Sequence, residues 1–551
     1  MLKRTLPLLA IALICFATGM AVNDELTKAD LFAAARVLGL DFLDDDEVEL
    51  MLEDVQEQTA TLEKLGEISI DNGVSPALAF NPVLRPDQLP ASNTVSAPAA
   101  APDVLTVNAT TTPLQWMTVK QLGTLIKGGD ITSRQLTEFF LKRLKEHDPT
   151  LHCVITLTEE RALAQADKMD AELAAGKYRG PLHGIPYGAK DLLAAKGYKT
   201  TWGAKPYRDQ TIDVDAAVIE QLDEAGAVLV AKLTLGALAW GDVWYGEMTR
   251  NPWDPTKGSS GSSAGSASAV AAGLVPFAIG TETLGSIVSP STVCGTTGLR
   301  PTFGRVSRYG AMALSWSMDK VGPITRTAED AGLVLAHMAH YDPRDAHAIE
   351  AGFQYRWPTE AARGKRIGYL KSVMDGDYPF HEQDSTVLAA LRGRGYELVP
   401  IELPEAPDIS FILSVEAAAA FDALTRSNQD DELTRQVRRA WPNTFRTAHF
   451  VPAVAYVQAN RLRRQLMEDM DKVLTEADVD VYVNPSWHSS SLFITNMTGH
   501  PCISVPNGMN AEGTPTSVTF TGKLFHEQAI VDVAHAYQMA SEWEEVHPEG
   551  F

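Results

Sequence analysis

One stretch of small residues, 257–302, constrains this 551-residue chain more than any other. It reads KGSSGSSAGSASAVAAGLVPFAIGTETLGSIVSPSTVCGTTGLRPT, with an unbroken Gly/Ser/Ala run at 258–269 and an apolar run at 274–279. A flexible linker is not followed at once by an apolar segment of core character. Serines beside glycines mark places where the backbone bends sharply and its N–H groups can point at a ligand. The stretch therefore predicts two site-forming loops, one at 258–269 and one around Gly285 and Ser286.

Composition limits the classes of protein that such a chain can belong to. With 45% hydrophobic residues the chain can bury a large core, as one big domain with or without an appendage. The net charge of -23 argues against a nucleic-acid surface, which needs clustered Lys and Arg. The sequence holds no CxxC, HExxH or Cys/His cluster, so we expect neither a metal nor a cofactor.

The first 21 residues resemble a secretory signal peptide. Lys3 and Arg4 give a basic start, an apolar run follows over 6–17, and small residues stand at the cleavage positions before residue 22. The apolar run is shorter than the ~20 residues that a transmembrane helix needs, although an N-terminal membrane anchor stays an alternative. We therefore expect export to the periplasm or the medium, with no stable membrane span after cleavage.

The remaining chain divides into three predicted parts. Residues 22–75 show helical periodicity and predict a small helical extension. Residues 76–113 are rich in Pro, Ala, Ser and Thr and predict a linker or an extended wrap. From 114 to 551, helical patterns alternate with apolar strands such as 153–157, 228–231, 367–370 and 479–483. This alternation predicts one large α/β domain with a central mixed, mostly parallel sheet covered by helices on both faces.

The second small-residue loop holds the strongest nucleophile candidate. A serine hydroxyl that attacks a carbonyl needs a base and also donors for the oxyanion that forms. Ser286 follows the predicted strand 276–279, at the end where open α/β sheets bind ligands. The backbone N–H groups of Thr283, Leu284, Gly285 and Ser286 are the candidate oxyanion donors.

Three arrangements known from serine hydrolases compete as explanations of these serines. Residues 261–265 match the G-x-S-x-G nucleophile elbow, but two prolines precede them where that elbow needs a strand. Residues 317–320 match S-x-x-K, but the partner motifs S-D-N and K-T-G are missing downstream. The third arrangement is a serine pair served by a lysine.

Several reactive side chains have simpler explanations. Cys294 lacks a matched His/Asn partner, and a free cysteine is usually a small buried hydrophobic residue. His183 is expected to be structural. Four serines of the Gly/Ser run are expected to serve turns and helix caps: Ser259, Ser260, Ser263 and Ser266.

Four ordered blocks give the chain a family resemblance. They are 184–191 (GIPYGAKD), 258–269, 280–302 and 496–501 (NMTGHP). Over roughly 118–551 the chain resembles the amidase signature family. The resemblance implies that Ser286 is the nucleophile, that Ser262 follows a cis peptide bond, and that Lys190 is the base.

The resemblance also implies a reaction. Lys190, desolvated among small and apolar groups, would act as a neutral base through the hydroxyl of Ser262. Ser286 would form an acyl-enzyme from a small carboxylic amide, releasing an amine or ammonia before water frees the carboxylate. Two alternatives stay open: the glutaminase subunit of a tRNA-dependent amidotransferase, and a non-catalytic binding protein on the same fold. A homodimer is also left open.

The chain departs from the usual family pattern beside the nucleophile. Leu284 stands where many members have glycine, and Val288 where many have arginine. The reaction uses backbone N–H groups and three side chains that are present, so these departures bear on pocket shape and substrate choice.

Overall fold

The computed structural model describes residues 26–40, 43–68, 71–74, 78–97, 113–358 and 365–551. These residues form two compact units, a smaller one ending at Asp71 and including Phe450–Pro452, and a larger one that begins at Asn72. The predicted signal peptide, residues 1–21, lies outside the described residues. Within them, no helix combines the length and the apolar character needed to cross a membrane.

The smaller unit contains two helices, α1 (Lys28–Leu38) and α2 (Asp45–Gly66). Thr27 and Asp30 form a capping box at the start of α1, and Gly39 ends that helix with a left-handed φ of 70°. Lys28 reaches carboxylates of α2, with Nζ 2.8 Å from the Asp45 carboxylate. Both helices lie within residues 22–75, for which the sequence predicts a helical extension.

The larger unit is built on strands from the whole length of the chain. The strands of its described residues are β1 (Val95–Ser96), β2 (Val154–Leu157), β3 (Pro186–Lys190), β4 (Val228–Leu233), β5 (Arg250–Asn251), β6 (Asp254–Gly258), β7 (Phe277–Glu282), β8 (Thr297–Arg300), β9 (Lys320–Thr325), β10 (Phe353–Gln354), β11 (Arg366–Leu370), β12 (Glu397–Ile401), β13 (Val481–Pro485), β14 (Cys502–Met509) and β15 (Pro515–Gly522). Eleven of them form one sheet in the order β12-β11-β13-β15-β14-β8-β9-β7-β3-β4-β2.

The sheet is mixed, as predicted, but its parallel pairs are confined to two blocks. The strands β12, β11 and β13 pair in parallel, and so do β7, β3 and β4. The strands between these blocks pair antiparallel, as does the edge strand β2. Of the ten strand pairings in this eleven-stranded sheet, as far as the chain is described, four are therefore parallel, so "mostly parallel" holds only inside the two blocks. Strands such as β14 and β15 join through a short turn, which permits antiparallel pairing without a crossover helix.

Helices cover both faces of this sheet. The helices of the larger unit, within its described residues, are α3 (Val119–Gly128), α4 (Ser133–Leu151), α5 (Glu159–Ala174), α6 (Ala217–Glu224), α7 (Ala264–Ala271), α8 (Val288–Cys294), α9 (Ala328–Met338), α10 (Lys371–Met374), α11 (His381–Gly393), α12 (Phe411–Ala420), α13 (Asp422–Arg426), α14 (Trp441–Ala448), α15 (Ala453–Glu476), α16 (Ser489–Thr498) and α17 (Glu527–Ser541). Along β7, Phe277 and Ile279 join an apolar cluster with Val531 of α17, whereas Ala278 joins a second cluster with Val270 of α7. This alternation is the period of two that a strand buried on both faces produces.

The described part of the predicted linker, residues 78–97, packs on the larger unit. Strand β1 pairs in parallel with β10, and Arg85 forms an ion pair with Asp471 of α15. Of the two alternatives, linker or wrap, these contacts favour the wrap for this segment.

Candidate active site

The parallel pair β3 and β7 brings the two motif regions together. Strand β3 ends at Lys190 and β7 ends at Glu282, and Ala189 lies opposite Ile279 in the ladder. Since the carboxyl ends of parallel strands meet at one edge, the loop after β7, which carries Ser286, begins beside Lys190.

Lys190 is fully buried and is surrounded by hydroxyl groups. Its Nζ lies 2.8 Å from Ser262 Oγ, 3.1 Å from Ser263 Oγ and 2.9 Å from Thr281 Oγ1. The carbonyl oxygen of Thr281 is 3.3 Å away. Burial lowers the pKa of Lys190 well below its ordinary value, although the charges of Asp319 and Glu282 act in the opposite direction. A lysine in this setting is chemically suited to accept a proton from a hydroxyl group.

Ser262 sits in a tight turn that requires a glycine before it. The Gly261–Ser262 peptide bond is cis, as the family resemblance implies. A Cβ atom on Gly261 would lie 1.9 Å from the carbonyl oxygen of Gly241, so a larger residue does not fit there. Ser262 itself is 1% exposed, and its hydroxyl accepts the hydrogen bond from Lys190.

Ser263 has a role that the sequence analysis missed. It stands at the N-cap position of α7, as expected, but its side chain makes no capping hydrogen bond. Its hydroxyl instead donates to the carbonyl oxygen of Thr281 at 3.0 Å and accepts from Lys190. Because only the fold brings β3 and β7 beside this serine, the Gly/Ser run alone gave no signal for this contact.

Ser286 lies directly after the left-handed Gly285, whose φ is 87°. Its side chain is 9% exposed. The carbonyl oxygen of Ser286 accepts from the backbone N–H of Ser263 at 3.1 Å, which ties the nucleophile loop to the Ser262 loop. The structure therefore brings the three predicted residues Lys190, Ser262 and Ser286 into one neighbourhood, with the first two in direct contact.

Glu282 anchors the segment that follows Ser286. One carboxylate oxygen accepts from the backbone N–H groups of Ile287 at 2.8 Å and Val288 at 3.0 Å. The other oxygen accepts from Arg300 of β8 at 2.7 Å and from Asn496 of α16 at 2.9 Å. Glu282 thus satisfies two N–H groups that the start of α8 would otherwise leave unpaired. Sequence reasoning missed this network, although Glu282 is within the motif.

The charge of Glu282 is maintained despite complete burial. Burial alone would raise its pKa, but the charges of Arg300 and Lys320, together with the N–H of Val288, lower it to about 2. The carboxylate is therefore ionised at every pH where an enzyme normally works.

Thr283, the first candidate oxyanion residue, is held at two points. Its hydroxyl donates to Asp319 at 2.6 Å, and its carbonyl oxygen lies 3.4 Å from Lys320 Nζ. Because a trans peptide is planar, fixing this carbonyl also fixes the direction of the N–H of Leu284. The side chain of Leu284 packs against a cluster that contains Met318.

The competing arrangements are not assembled. Lys320 also donates to the Met318 carbonyl, whereas Ser317 donates to Glu416 at 2.7 Å, so the S-x-x-K residues bind other partners. Strand β6, which leads into the Gly/Ser run, pairs with β5 in a small hairpin outside the central sheet, so the nucleophile-elbow context is missing.

The other reactive side chains, those of His183 and of the three described cysteines, are fully buried. Cys153, Cys294 and Cys502 are free and buried, and burial raises the pKa of each thiol. A ring nitrogen of His183 is 3.0 Å from the carbonyl oxygen of Met169. Among the described residues, no group of three or more His, Cys, Asp or Glu side chains is arranged to hold a metal ion.

Comparison with known proteins identifies the family. The sequence profile of the family described as Amidase matches residues 135–531. The chain belongs to the amidase signature family. It is accordingly an enzyme that hydrolyses amide C–N bonds.

Relatives of this amidase match more than three quarters of the chain and differ in their described roles. A glutamyl-tRNA(Gln) amidotransferase subunit from Halorhodospira halophila is 34% identical over 483 residues, covering 79% of this chain and 99% of the relative. The structure of a peptide amidase from Stenotrophomonas maltophilia matches with a TM-score of 0.68 at 30% identity, covering 78% of this chain and 98% of that one. A bacterial aryl acylamidase shares the fold, with a TM-score of 0.70 at 21% identity and coverage of 79% and 98%.

Proposed function

We propose that this amidase cleaves a small carboxylic amide through an acyl-enzyme on Ser286, with Lys190 as the base acting through Ser262. The observation that carries the proposal is the environment of Lys190. Among the described residues, its hydrogen-bond partners are three hydroxyls and one carbonyl. Without a carboxylate to hold its proton, a buried lysine is free to act as a neutral base.

The reaction follows from these contacts. Neutral Lys190 takes the proton of the Ser262 hydroxyl, and Ser262 takes the proton of Ser286 as its oxygen attacks the amide carbon. Backbone N–H groups from Thr283 to Ser286 stabilise the oxyanion. The proton then returns through Ser262 to the leaving nitrogen, the C–N bond breaks, and an ester to Ser286 remains. Water, activated by the same relay, cleaves that ester to the carboxylate.

The decisive experiment compares Ser286 with Ser289, a serine in the first turn of α8, three residues further along the chain. Ser286→Ala should abolish amide hydrolysis, whereas Ser289→Ala, which removes a hydroxyl bonded to Ser260 at 2.7 Å, should keep activity within a few fold. Mass spectrometry of the wild-type enzyme quenched during turnover of an activated ester should place the acyl group on Ser286. An adduct elsewhere, or activity in folded Ser286→Ala, would refute the mechanism.

A second candidate is a glutaminase subunit of a tRNA-dependent amidotransferase, because the match spans 99% of the amidotransferase relative from Halorhodospira halophila. The net charge of -23 opposes direct tRNA binding, and a signal peptide would take the enzyme away from tRNA. Glutaminase activity that depends on an added partner protein would favour this candidate over the first. The non-catalytic alternative is disfavoured because Lys190, Ser262 and Ser286 are all present.

Export to the periplasm or the medium remains our proposal for localisation. It rests on the first 21 residues, with their basic start and short apolar run. The mass of the mature protein tests it, because cleavage before residue 22 removes the segment, and an intact Met1 would contradict export.

A further inference from the structure

The loop at residues 236–249 lies directly against the residues that precede Ser262. The carbonyl oxygen of Gly241 occupies the space that a side chain on Gly261 would fill. The carboxylate of Asp242 accepts from the backbone N–H of Ser260 at 3.2 Å. This loop carries three half-buried aromatic side chains: Trp240, Trp244 and Tyr245.

A fourth aromatic side chain, Trp202, joins this loop to the base. Its backbone N–H donates to the carbonyl oxygen of Asp191, the residue after Lys190, at 3.3 Å. The carbonyl oxygen of the next residue, Gly203, accepts from the N–H of Tyr245 at 3.1 Å. Trp202, Trp240, Trp244 and Tyr245, called the aromatic cluster below, therefore lie on the two loops that flank Lys190 and Ser262.

Two members of the aromatic cluster carry hydrogen-bond donors that nothing accepts. Within the described residues, the buried Nε1 atoms of Trp202 and Trp244 have no partner. Trp202 is only 7% exposed, so water does not readily replace the missing acceptor. Elsewhere in the described residues, the indole N–H of Trp441 donates to Leu238 O and that of Trp253 to Cys294 O, each at 2.8 Å, whereas the buried Nε1 atom of Trp316 also has no partner. Buried donors are normally paired, so two unpaired indoles on the loops beside Lys190 and Ser262 are a departure from ordinary core packing.

The backbone of the same loops is strained. Trp202, Leu238, Ala239 and Ser260 have positive φ angles of 54°, 51°, 62° and 58°. Bulky residues rarely adopt this region, and such residues persist mainly at ligand-binding and active sites, where the surrounding structure enforces them. Tryptophan and leucine in this conformation indicate loops shaped for a ligand.

We propose that the aromatic cluster binds an aromatic substituent next to the scissile bond, so that the substrates are aryl or arylalkyl amides. Ring faces favour another flat ring over an aliphatic chain. Arg435 and Asp242, which lie beside the rings, compensate each other's charge. The Arg435 guanidinium is 5.2 Å from the ring centre of Trp240 and 3.4 Å from the Asp242 carboxylate. This proposal rests on the proposed function, because it assigns the substrate of that site.

Matched amides test the proposal on either side of the C–N bond. One pair is 3-phenylpropanamide against hexanamide, and the other is N-benzylacetamide against N-butylacetamide. In at least one pair the aromatic amide should show a kcat/KM about 10- to 100-fold higher, the range that a fitted apolar pocket provides. The favoured pair tells which side of the bond the ring occupies.

Substitutions test whether the aromatic cluster causes the preference for aromatic amides. Trp244→Leu and Trp240→Leu should each reduce the aromatic-to-aliphatic ratio severalfold, and Trp244→Phe, which keeps a ring but loses the donor, should fall between. Trp357→Leu, which removes an equally half-buried tryptophan beside Lys120, should leave the ratio unchanged. Hydrolysis of all four amides without aromatic preference, or a ratio unmoved in both leucine variants, would overturn this proposal alone. A folded enzyme inert on every amide would refute the proposed function and this proposal with it.

Discussion

Two lysines on neighbouring strands of the sheet, Lys190 of β3 and Lys232 of β4, have equal burial and different partners. Lys232 Nζ lies 2.7 Å from the carboxylate of Asp191, whereas Lys190 is surrounded by hydroxyl groups. Asp191 follows Lys190 in the chain, yet its side chain serves Lys232 and Thr201. The comparison teaches that a buried lysine with a carboxylate is a structural ion, and that one with hydroxyls is available as a base.

The largest effect is expected from Lys190→Met. Removing a general base should lower kcat/KM about 10⁴-fold, the upper end for such groups. The free energy of unfolding should change by no more than about 1 kcal/mol, because methionine fits the space of an amine whose charged form is already disfavoured there. Amide hydrolysis and urea unfolding measure the two quantities. Near-wild-type rates in this variant would show that Lys190 is not the base and does not differ from Lys232 in this respect.

Lys232→Met should show the opposite pattern. It leaves the Asp191 carboxylate buried without its counter-charge, so the free energy of unfolding should fall by roughly 3–5 kcal/mol. The folded fraction should keep most of its activity, because Lys190 and its hydroxyl partners are intact. The double variant Lys232→Met/Asp191→Asn should recover part of the stability. Stability equal to wild type in the single variant would show that the ion pair is dispensable.

Lys320→Met should have a smaller effect, confined to the chemical step. Without its hydrogen bond to the Thr283 carbonyl, the peptide that carries the Leu284 N–H loses one restraint. We expect kcat to fall about tenfold with little change in KM, less than the 10²–10³-fold cost of removing an oxyanion donor. Met318→Leu, a volume-conserving change in the same segment, is the control. A rise in KM with kcat unchanged would assign Lys320 to substrate binding instead.

The smallest effect is a displacement of the pH profile. In the proposed mechanism Lys190 acts only as the neutral amine, so kcat/KM should rise with pH up to the pKa of Lys190 and then level off. Because burial lowers that pKa, the plateau should begin well below pH 10.5, the ordinary lysine value. A profile that still rises at that pH would mean that Lys190 keeps an ordinary pKa.

Local patterns predicted single elements well and pairings poorly. The predicted strands 153–157 and 228–231 correspond to β2 and β4, and the predicted loop at Gly285 and Ser286 lies between β7 and α8. Of the predicted loop 258–269, only 259–263 form a loop, because α7 begins at Ala264. The antiparallel centre was not predicted, because hydrophobic alternation does not reveal that β14 pairs with β8, which lies some 200 residues earlier. Two strands with the same pattern are compatible with either direction until their partners are known.

The candidate site shows the same limit. Lys190, Ser262 and Ser286 were assigned from ordered motifs, and the fold assembles them. The contacts of Glu282 with Arg300 and Asn496 were missed because they join residues 18 and 214 positions apart. The partners of Glu282 depend on how β8 and α16 pack around the loop that carries Ser286.

The three buried thiols can report where this enzyme opens locally. Cys153 stands before the edge strand β2, Cys294 ends α8 behind the nucleophile loop, and Cys502 begins β14 in the middle of the sheet. A buried thiol of raised pKa reacts with an alkylating agent only when its surroundings open. The order in which the three are alkylated would therefore rank the edge, the active-site helix and the sheet centre by the free energy of local opening, without an introduced label.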